Sequence, residues 1–473
     1  MWLTKYRSAL ILGVAVGIGV LIGTAKLKGA IAIYALLLGV PAILAALASA
    51  HLGTMVIISV AYVLLGVKRL SPGVPLGIVT DVFLLVLVLG IVLRRVETHD
   101  WSTAKTPVAV AVFIWMVYVF LQVLNPLACS YTAWLITIRS TAGYMLMYFV
   151  AIDVLDRPER IRFYVWFWIA WSIAVALYAF KQEYVGFSSF EWVWMHGTRL
   201  RFRLLYQWGL VRKFSFLSDP VAFGLNMAYT GLLAWAIVFG APKRRQKMLA
   251  AVALVLLWWA MVFSGTRAAY VAIPMGLFFY GLLMANRRVF IGGAVAAFAL
   301  LVLIMVPTHD QHLKRFRSAF QPQESRSYMV RIENQARIRP FIWSHPFGGG
   351  LGSTGDTGRR FCRDTLLGGF PPDSGYVRVA VELGWFGLLL HLGTWVTVLW
   401  VGVRNHYGLR DPFLRAVSAG TLAVFFALAV VNYAQQAIFQ LPTSLLFWLS
   451  AAMIDRAPAL DRMALSGARA RPG

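Results

Sequence analysis

Acidic residues and cysteines are scarce in this chain. Its 473 residues include 19 Asp and Glu against 44 Lys and Arg, and two cysteines, Cys129 and Cys362. There is no CxxC pair and no cluster of cysteine with histidine, which argues against a structural zinc site or an iron–sulfur cluster. Isolated cysteines are more often free or buried than paired. The sequence therefore leaves a disulfide between the two open.

Charged residues of either sign are also few, at 13% of the chain, whereas hydrophobic residues make up 60% and the mean hydropathy is +0.71. No soluble globular protein needs so much apolar sequence, so that class is excluded. Apolar stretches of membrane-spanning length recur from end to end. We therefore predict an all-α polytopic membrane protein with a single transmembrane domain over residues 1–473.

The predicted spans number 14, at ~20 apolar residues each, with 12 as the competing count. The apolar run from Ala9 resembles a signal peptide, but no small-residue cleavage site follows it, so we predict a first retained helix. The predicted spans are 9–25, 29–49, 51–66, 75–93, 106–124, 131–151, 161–181, 219–240, 247–263, 268–285, 289–306, 376–402, 413–433 and 437–454.

Basic segments orient these spans. Segments 156–160, 243–247, 287–288 and 404–410 and the tail after Arg456 fall on one face, which the positive-inside rule predicts to be cytoplasmic. The opposite, external face receives two long loops, 182–218 and 307–375, and the turns at 264–267 and near Asn432.

The external loops are nevertheless basic. Loop 182–218 carries five Lys or Arg against two Glu, and long loops can cross a membrane regardless of charge. The surplus reflects either a general preference of the chain for Arg or an external surface for a polyanion or phosphate group. We favour the surface, because the charges sit at span ends where lipid headgroups lie. The net charge of +25 would suggest nucleic acid in a soluble protein, but we predict no nucleic-acid partner here.

Loop 307–375 is the longest polar stretch, with ten Lys or Arg against six Asp or Glu. A polar loop of this length between spans is usually functional or disordered. Its middle, 325–339, contains no helix breaker and places Arg331 and Gln335 on one face of a surface helix. A solvated basic helix and a substrate contact, which would include Arg326, both stay open.

Two arginines at span ends are candidate anion clamps. Arg267 lies in the tight turn Ser264-Gly-Thr-Arg267, where a charge so near hydrocarbon is costly unless it is paired or lines a polar cavity. Arg212, followed by Lys213, precedes Ser218-Asp-Pro220, which is a typical helix start. A snorkelling arginine and an ordinary juxtamembrane charge are the simpler readings.

Asp373 lies just before the predicted span at 376–402, in the segment Asp373-Ser-Gly-Tyr376. It is either a helix cap or a general base that takes a proton from a sugar hydroxyl, with Tyr376 as a further substrate contact. We expect Glu382, inside the span, to have a buried structural partner. Arg139, also a candidate substrate contact, and Asp81 are expensive within spans and could pair with each other.

Two other patterns carry no function in this reading. Gly350-Leu-Gly-Ser-Thr-Gly355 matches GxGxxG but lacks a preceding strand and a following helix, so we predict no dinucleotide site. The eight histidines show no metal-ligand spacing, and His345 beside Pro346 reads as a turn residue.

In order along the chain, these features resemble the O-antigen ligase and Wzy-type polymerase superfamily of bacterial inner-membrane glycosyltransferases. The resemblance covers about residues 200–390 and rests on Arg212 before Pro220, the turn at Arg267, Arg331 before His345-Pro346, the glycine-rich turn, and Asp373 followed by Glu382-Leu-Gly384.

The resemblance implies a GT-C-like helical fold with short helices in a large periplasmic loop. It implies an oligosaccharide on undecaprenyl pyrophosphate as the substrate, and inverting transfer at the periplasmic face without metal, nucleotide or other cofactor. Arg212 and Arg267 would hold the pyrophosphate, as the anion-clamp reading also predicts. Membrane lipids and other polysaccharide assembly proteins are the implied partners.

Two departures from the family pattern bear on function. Ligases usually carry His-Asn where this chain has Asp373-Ser374, and the family often has Trp where this chain has Gln335. The first departure favours a polymerase of exopolysaccharide, capsule or O-antigen repeat units over a ligase that transfers glycan to lipid A–core. A flippase of lipid-linked sugars is the rival of another class, but the chain shows neither the pseudo-repeated halves nor the midplane site typical of transporters.

Overall fold

The computed structural model describes residues 49–70, 77–99, 105–207, 209–285 and 326–469. The predicted spans 9–25 and 289–306, and all but the last residue of 29–49, lie outside these ranges. The first part of the predicted external loop, 307–325, also lies outside them.

The described residues form sixteen α-helices and one small hairpin. The hairpin pairs β1 (Tyr206–Gln207) with β2 (Leu210–Val211) in antiparallel register, Tyr206 opposite Val211. The helices are α1 (Ala50–Leu70), α2 (Gly77–Thr98), α3 (Pro107–Leu121), α4 (Tyr131–Thr141), α5 (Leu146–Val154), α6 (Pro158–Tyr184), α7 (Ser189–His196), α8 (Arg199–Leu205), α9 (Pro220–Gly240), α10 (Arg244–Ser264), α11 (Arg267–Met284), α12 (Arg326–Ser344), α13 (Gly355–Phe361), α14 (Gly375–Gly408), α15 (Pro412–Asn432) and α16 (Thr443–Arg469).

Nine helical segments in the described part are long and apolar enough to cross a membrane. They are α1, α3 with the 3₁₀ turn after it, α4 continued through α5, α6, α9, α10, α11, α14 and α15. The prediction of an all-α polytopic membrane protein is confirmed. The predicted start of the last span at 437 is wrong, because 437–439 form a 3₁₀ turn and Pro442, which has no N–H and fixes φ, interrupts any helix before Thr443.

Several spans begin with the same local signal. Thr106, Asp219 and Asp411 each accept a hydrogen bond from the backbone of the first helical turn, and a proline occupies the first helical position after each of them. Such caps satisfy N–H groups that have no partner within the helix, and proline has no N–H to leave unsatisfied there. The predicted helix start at Ser218-Asp-Pro220 is thereby confirmed, with Asp219 as the cap.

Among the nine described spans, α9 is the most enclosed: 83% of its most apolar 18-residue stretch is buried. Small residues let its neighbours approach closely, as is common between membrane helices. A Cβ on Gly231 would lie 2.0 Å from Nε1 of Trp258 in α10, and one on Gly276 of α11 would lie 2.3 Å from Leu232. This packing fixes the first residues of α9 and α11 next to each other.

Because successive spans alternate in direction, the longer connections gather at one end of the bundle. We call this end the loop face: residues 182–218, 264–267, 326–375 and 432–442. Contacts between these segments support the grouping, since Arg212 donates to the carbonyl of Ser264 and the Ser374 hydroxyl donates to the carbonyl of Asn432.

Candidate functional site on the loop face

Arg212 is held over the start of α11. Its Nε donates to the carbonyl of Ser264 and its Nη2 to Oγ1 of Thr266, both at 2.9 Å. The hydroxyl of Thr266 in turn donates to the carbonyl of Pro220 at 2.8 Å. The end of the hairpin, the start of α9 and the turn before Arg267 therefore form one hydrogen-bonded unit.

The turn that presents Arg267 has the predicted form. The α10 helix ends at Ser264, Gly265 adopts a left-handed conformation with φ of 52°, and α11 begins at Arg267. Glycine adopts that conformation without the steric cost of a side chain. Two predicted anion clamps, Arg212 and Arg267, thus lie at the same helix start.

Lys213, the neighbouring candidate, is already engaged. Its Nζ forms an ion pair with Glu183 at 2.7 Å, with 11% of the lysine side chain exposed. Its backbone N–H donates to the carbonyl of Phe263 at 3.0 Å. The structure therefore places Lys213 in an ion pair that fastens the loop to the end of α6.

The predicted surface helix in the large loop is confirmed as α12, and it runs to Ser344, five residues beyond the predicted end. Its inward face changes character along its length: Arg331 and Gln335 are half-buried, whereas Ile338 is buried in a small apolar cluster with Leu367 and Val381. The apolar half thus docks α12 onto α14, and the polar half projects further along the loop face.

This arrangement brings a third arginine to the site. Arg331 lies within electrostatic range of Arg267, although the two are 64 residues apart in sequence. The backbone of Arg326 begins α12, and its side chain lies outside the described residues.

The glycine-rich turn docks onto a break in α14. At Gly384, φ is 73° and the helical hydrogen bonds stop. The N–H groups of Gly349 and Gly350 donate to the carbonyls of Val381 and Glu382 at 2.9 and 3.0 Å, and the Tyr118 hydroxyl donates to Leu383 at 2.6 Å. The carbonyls that the break releases are therefore satisfied by the turn and by α3.

The glycines of the GxGxxG match thus serve the packing of the turn, and in the described residues the helix α12, not a strand, leads into them. One detail of the prediction is wrong: a short helix, α13, does follow the glycines. Its start at Gly355 is possible because this residue takes a positive φ of 64°, which sequence spacing alone does not indicate.

Replacing Gly384 with Ala should strongly destabilise the protein. A Cβ there would lie 1.9 Å from the carbonyl oxygen of Pro346, and the positive φ alone costs about 1–2 kcal/mol. We expect the free energy of unfolding to fall by at least about 2 kcal/mol. Gly393→Ala in the same helix is the control, because nothing lies within 4 Å of its Cβ position, and there alanine should stabilise the helix slightly. Equal thermal unfolding temperatures for the two purified variants would contradict this.

Asp373 lies next to the cap of α14 but is not the cap. The hydroxyl of Ser374 accepts from the Val377 N–H at 3.4 Å. Asp373 is half-buried, and its carboxylate has no hydrogen-bond or ion-pair partner among the described residues. Ser374 therefore caps the helix, and of the two interpretations of Asp373 the general base is the one that stays open.

Glu382 has the buried partners that we expected. With 2% of its side chain exposed, it accepts from Oγ1 of Thr354 at 2.5 Å and pairs with Arg378 at 3.4 Å. Arg378 also donates to Oε1 of Gln436 at 3.0 Å, and Gln436 donates to the carbonyl of Pro372. Sequence reasoning missed Arg378 and Gln436; the i,i+4 spacing of Arg378 and Glu382 was the available signal.

The two remaining candidates lie elsewhere. Arg139 pairs with Asp81 at 3.3 Å, a pairing that the sequence left open, and it lines a polar cavity with Arg378. Tyr376 donates its hydroxyl to the carbonyl of Ala429 at 2.7 Å and packs beside Trp395. The structure therefore places Tyr376 in the packing between α14 and α15.

Cys129 and Cys362 form a disulfide, with their Cα atoms 5.6 Å apart. Cys129 lies in the turn between α3 and α4, and Cys362 directly follows α13. The bond joins segments separated by 233 residues and fastens the large loop to the N-terminal half of the bundle.

Fold and site together define a multi-pass helical membrane protein whose arginines and large structured loop gather at one face. Residues 252–392 match the family model for O-antigen ligase, Wzy_C. This part of the chain is therefore similar to the O-antigen ligase family, and the predicted resemblance is confirmed there. The matched part contains Arg267, Arg331, the glycine-rich turn, Asp373 and Glu382, and ends after the break in α14. No curated protein matches the chain.

Members of this family are glycosyltransferase-like enzymes, and the family implies lipid-linked glycans as substrates and membrane lipids as partners.

Proposed function

We propose that the chain polymerises oligosaccharide repeat units carried on undecaprenyl pyrophosphate, at the periplasmic face of a bacterial inner membrane. The observation that carries the proposal is the position of Arg212 and Arg267 at the start of α11, with Arg331 within electrostatic range of Arg267. Three distant segments of the chain contribute these arginines, and the family match supplies the class of substrate.

A pyrophosphate suits this cluster. Each guanidinium presents a planar fork of donors that matches two phosphate oxygens. The N-terminus of α11 adds the positive end of a helix dipole, which also favours an anion. Arg267 and Arg331 repel each other, and a bound pyrophosphate would offset that repulsion.

The proposed reaction is a displacement at the anomeric carbon of the donor glycan. A hydroxyl oxygen of the acceptor repeat unit forms a bond to this carbon on the face opposite the leaving group. The bond from the carbon to the phosphate oxygen breaks, and undecaprenyl pyrophosphate leaves with the electron pair. The arginines stabilise the charge that develops on the leaving group, and inversion at the anomeric carbon follows from the single displacement.

Asp373 is the proposed general base, taking the proton of the attacking hydroxyl. Its carboxylate lies at the loop face on a fixed backbone, because Ser374 caps α14 and the Pro372 carbonyl accepts from Gln436. A base must have its carboxylate available to the acceptor, and in the described residues that of Asp373 is not engaged. It takes the place of the histidine usual in ligases.

The loop face is the proposed periplasmic face. Disulfides form and persist in oxidising compartments such as the periplasm, and Cys129–Cys362 lies on this face. The opposite face carries the basic segments 156–160 and 243–247, as the positive-inside rule requires of the cytoplasmic side.

A ligase is the second candidate, favoured by the description of the matching family model. The two candidates differ in the acceptor, a lipid-linked repeat unit for a polymerase and lipid A–core for a ligase. Purified protein in nanodiscs should be given labelled lipid-linked donor with each acceptor separately. We expect a ladder of lengthened lipid-linked glycans with the repeat-unit acceptor. Transfer to lipid A–core alone would instead support the ligase.

A further inference from the structure

A polar cavity of about 440 Å³ opens on the loop face between α4, α13 and the start of α14. Its volume lies within the ~300–1,000 Å³ of typical small-molecule sites. The three arginines at the start of α11 do not line it. Its polar lining includes Arg139, Ser140, Thr357, Arg359, Arg378 and Gln436.

Each of the three arginines that line this cavity is paired with a carboxylate. Arg139 pairs with Asp81 at 3.3 Å and Arg378 with Glu382 at 3.4 Å, and Arg359 pairs with Asp356. Each guanidinium charge of the lining is therefore offset by a carboxylate, and Asp356 is the carboxylate that lines the cavity itself. The cavity differs in this respect from a phosphate clamp.

The lining is suited instead to a neutral ligand rich in hydroxyl groups. Guanidinium N–H groups donate, the Asp356 carboxylate accepts, and the Gln436 amide and the hydroxyls of Ser140 and Thr357 can do both. Each hydroxyl of a sugar ring is at once donor and acceptor, so it needs such a mixed surface.

The cavity is also held in shape before any ligand arrives. Gln436 accepts from Arg378 at 3.0 Å and donates to the Pro372 carbonyl. The disulfide follows α13 directly and joins it to the turn before α4. Preorganisation of this kind lowers the entropic cost of binding.

The wall of the cavity leads to the proposed base. Pro371 and Pro372 line the cavity, and Asp373 is the next residue. We propose that the cavity is the subsite for a neutral sugar residue of the acceptor glycan, which places the acceptor next to Asp373 while the donor pyrophosphate lies at the start of α11. This inference rests on the proposed function.

The test measures binding of a lipid-free oligosaccharide, the repeat unit released by mild acid from the host's own lipid-linked precursor, to the full-length protein in nanodiscs. Ser140→Ala with Thr357→Val removes two hydroxyls from the cavity. The Ser140 hydroxyl otherwise donates only within its own helix, to the Thr137 carbonyl, so stability should change little. We expect calorimetric titration to show binding roughly tenfold weaker than in the wild type, as for the loss of two neutral hydrogen bonds.

Ser59→Ala with Thr397→Val is the matched control. These hydroxyls also donate within their own helices, to Met55 and Gly393, and neither residue lines the cavity, so binding should be unchanged. Arg267→Ala should also bind the oligosaccharide normally, because the probe has no pyrophosphate. Binding and polymerisation therefore test different proposals. If Arg267→Ala polymerises normally, the pyrophosphate site is overturned and the sugar subsite is not.

Salt distinguishes a neutral from an anionic ligand. Raising NaCl from about 0.1 to about 1 M shortens the screening length from ~10 to ~3 Å, and binding of a neutral sugar should not weaken. Marked weakening of binding with salt would show that the ligand is not neutral.

No binding to the wild type, or equal binding by the wild type and the cavity variant, would overturn the subsite. Loss of co-purified phospholipid from the cavity variant without loss of sugar binding would assign the cavity to a lipid headgroup instead.

Discussion

Replacing Arg267 with Ala should lower polymer synthesis at least about 100-fold, the loss typical when one preorganised stabiliser of developing charge is removed. Arg267 begins α11, Arg212 donates to Thr266 directly before it, and Arg331 lies within electrostatic range of it. Its removal would take away the proposed bidentate contact to the leaving pyrophosphate. The measurement is polymer length and amount in a strain that expresses the variant from its own locus, with membrane levels of the protein checked by immunoblot.

Two further variants sharpen this experiment. Arg267→Lys keeps the charge but loses the planar fork, so we expect an activity between those of the wild type and Arg267→Ala. Arg337→Ala removes an exposed arginine from α12, one and a half turns beyond Arg331, and should leave synthesis within a few-fold of normal. Polymer of wild-type length and amount from a stably expressed Arg267→Ala variant would contradict the proposed role of Arg267 in holding the pyrophosphate.

Replacing Asp373 with Asn should reduce the rate of glycan transfer by roughly 10²–10⁴-fold, the usual contribution of a general base. Asparagine has nearly the same size but cannot take the proton of the attacking hydroxyl. Because Ser374 caps α14, the thermal unfolding temperature should stay near that of the wild type. The rate is measured with purified protein and lipid-linked repeat units, and donor binding is measured separately.

Ser374→Ala separates catalysis from capping. Loss of the cap should lower the free energy of unfolding by about 1 kcal/mol, while transfer at a permissive temperature stays within a few-fold of normal. The two variants should therefore show opposite patterns of stability and activity. An Asp373→Asn protein that is unstable yet transfers glycan at the normal rate would assign Asp373 to structure.

The features that could be predicted from sequence are those set by neighbours along the chain. Apolar runs predict the spans, Asp219 before Pro220 predicts the start of α9, and the turn at 264–267 follows from two apolar runs with almost nothing between them. Glu382 could be expected to have a partner because an isolated carboxylate inside a span is costly.

The features that could not be predicted depend on contacts between distant segments. Gly348 and Gly384 need each other, since a Cβ on Gly348 would lie 2.4 Å from the Gly384 nitrogen, but no local pattern joins residues 36 positions apart. The disulfide and the Arg378–Gln436 contact are of the same kind. The meeting of Arg331 with Arg267 likewise arises only when α12 docks on α14.

The central claim is that the donor pyrophosphate lies at the start of α11, and the most direct test is a cryo-EM density map with a non-hydrolysable lipid pyrophosphate donor bound. The account predicts diphosphate density between the guanidinium groups of Arg212, Arg267 and Arg331, with the glycan directed toward Asp373. Diphosphate density at another site, with these three arginines not in contact with it, would contradict the account.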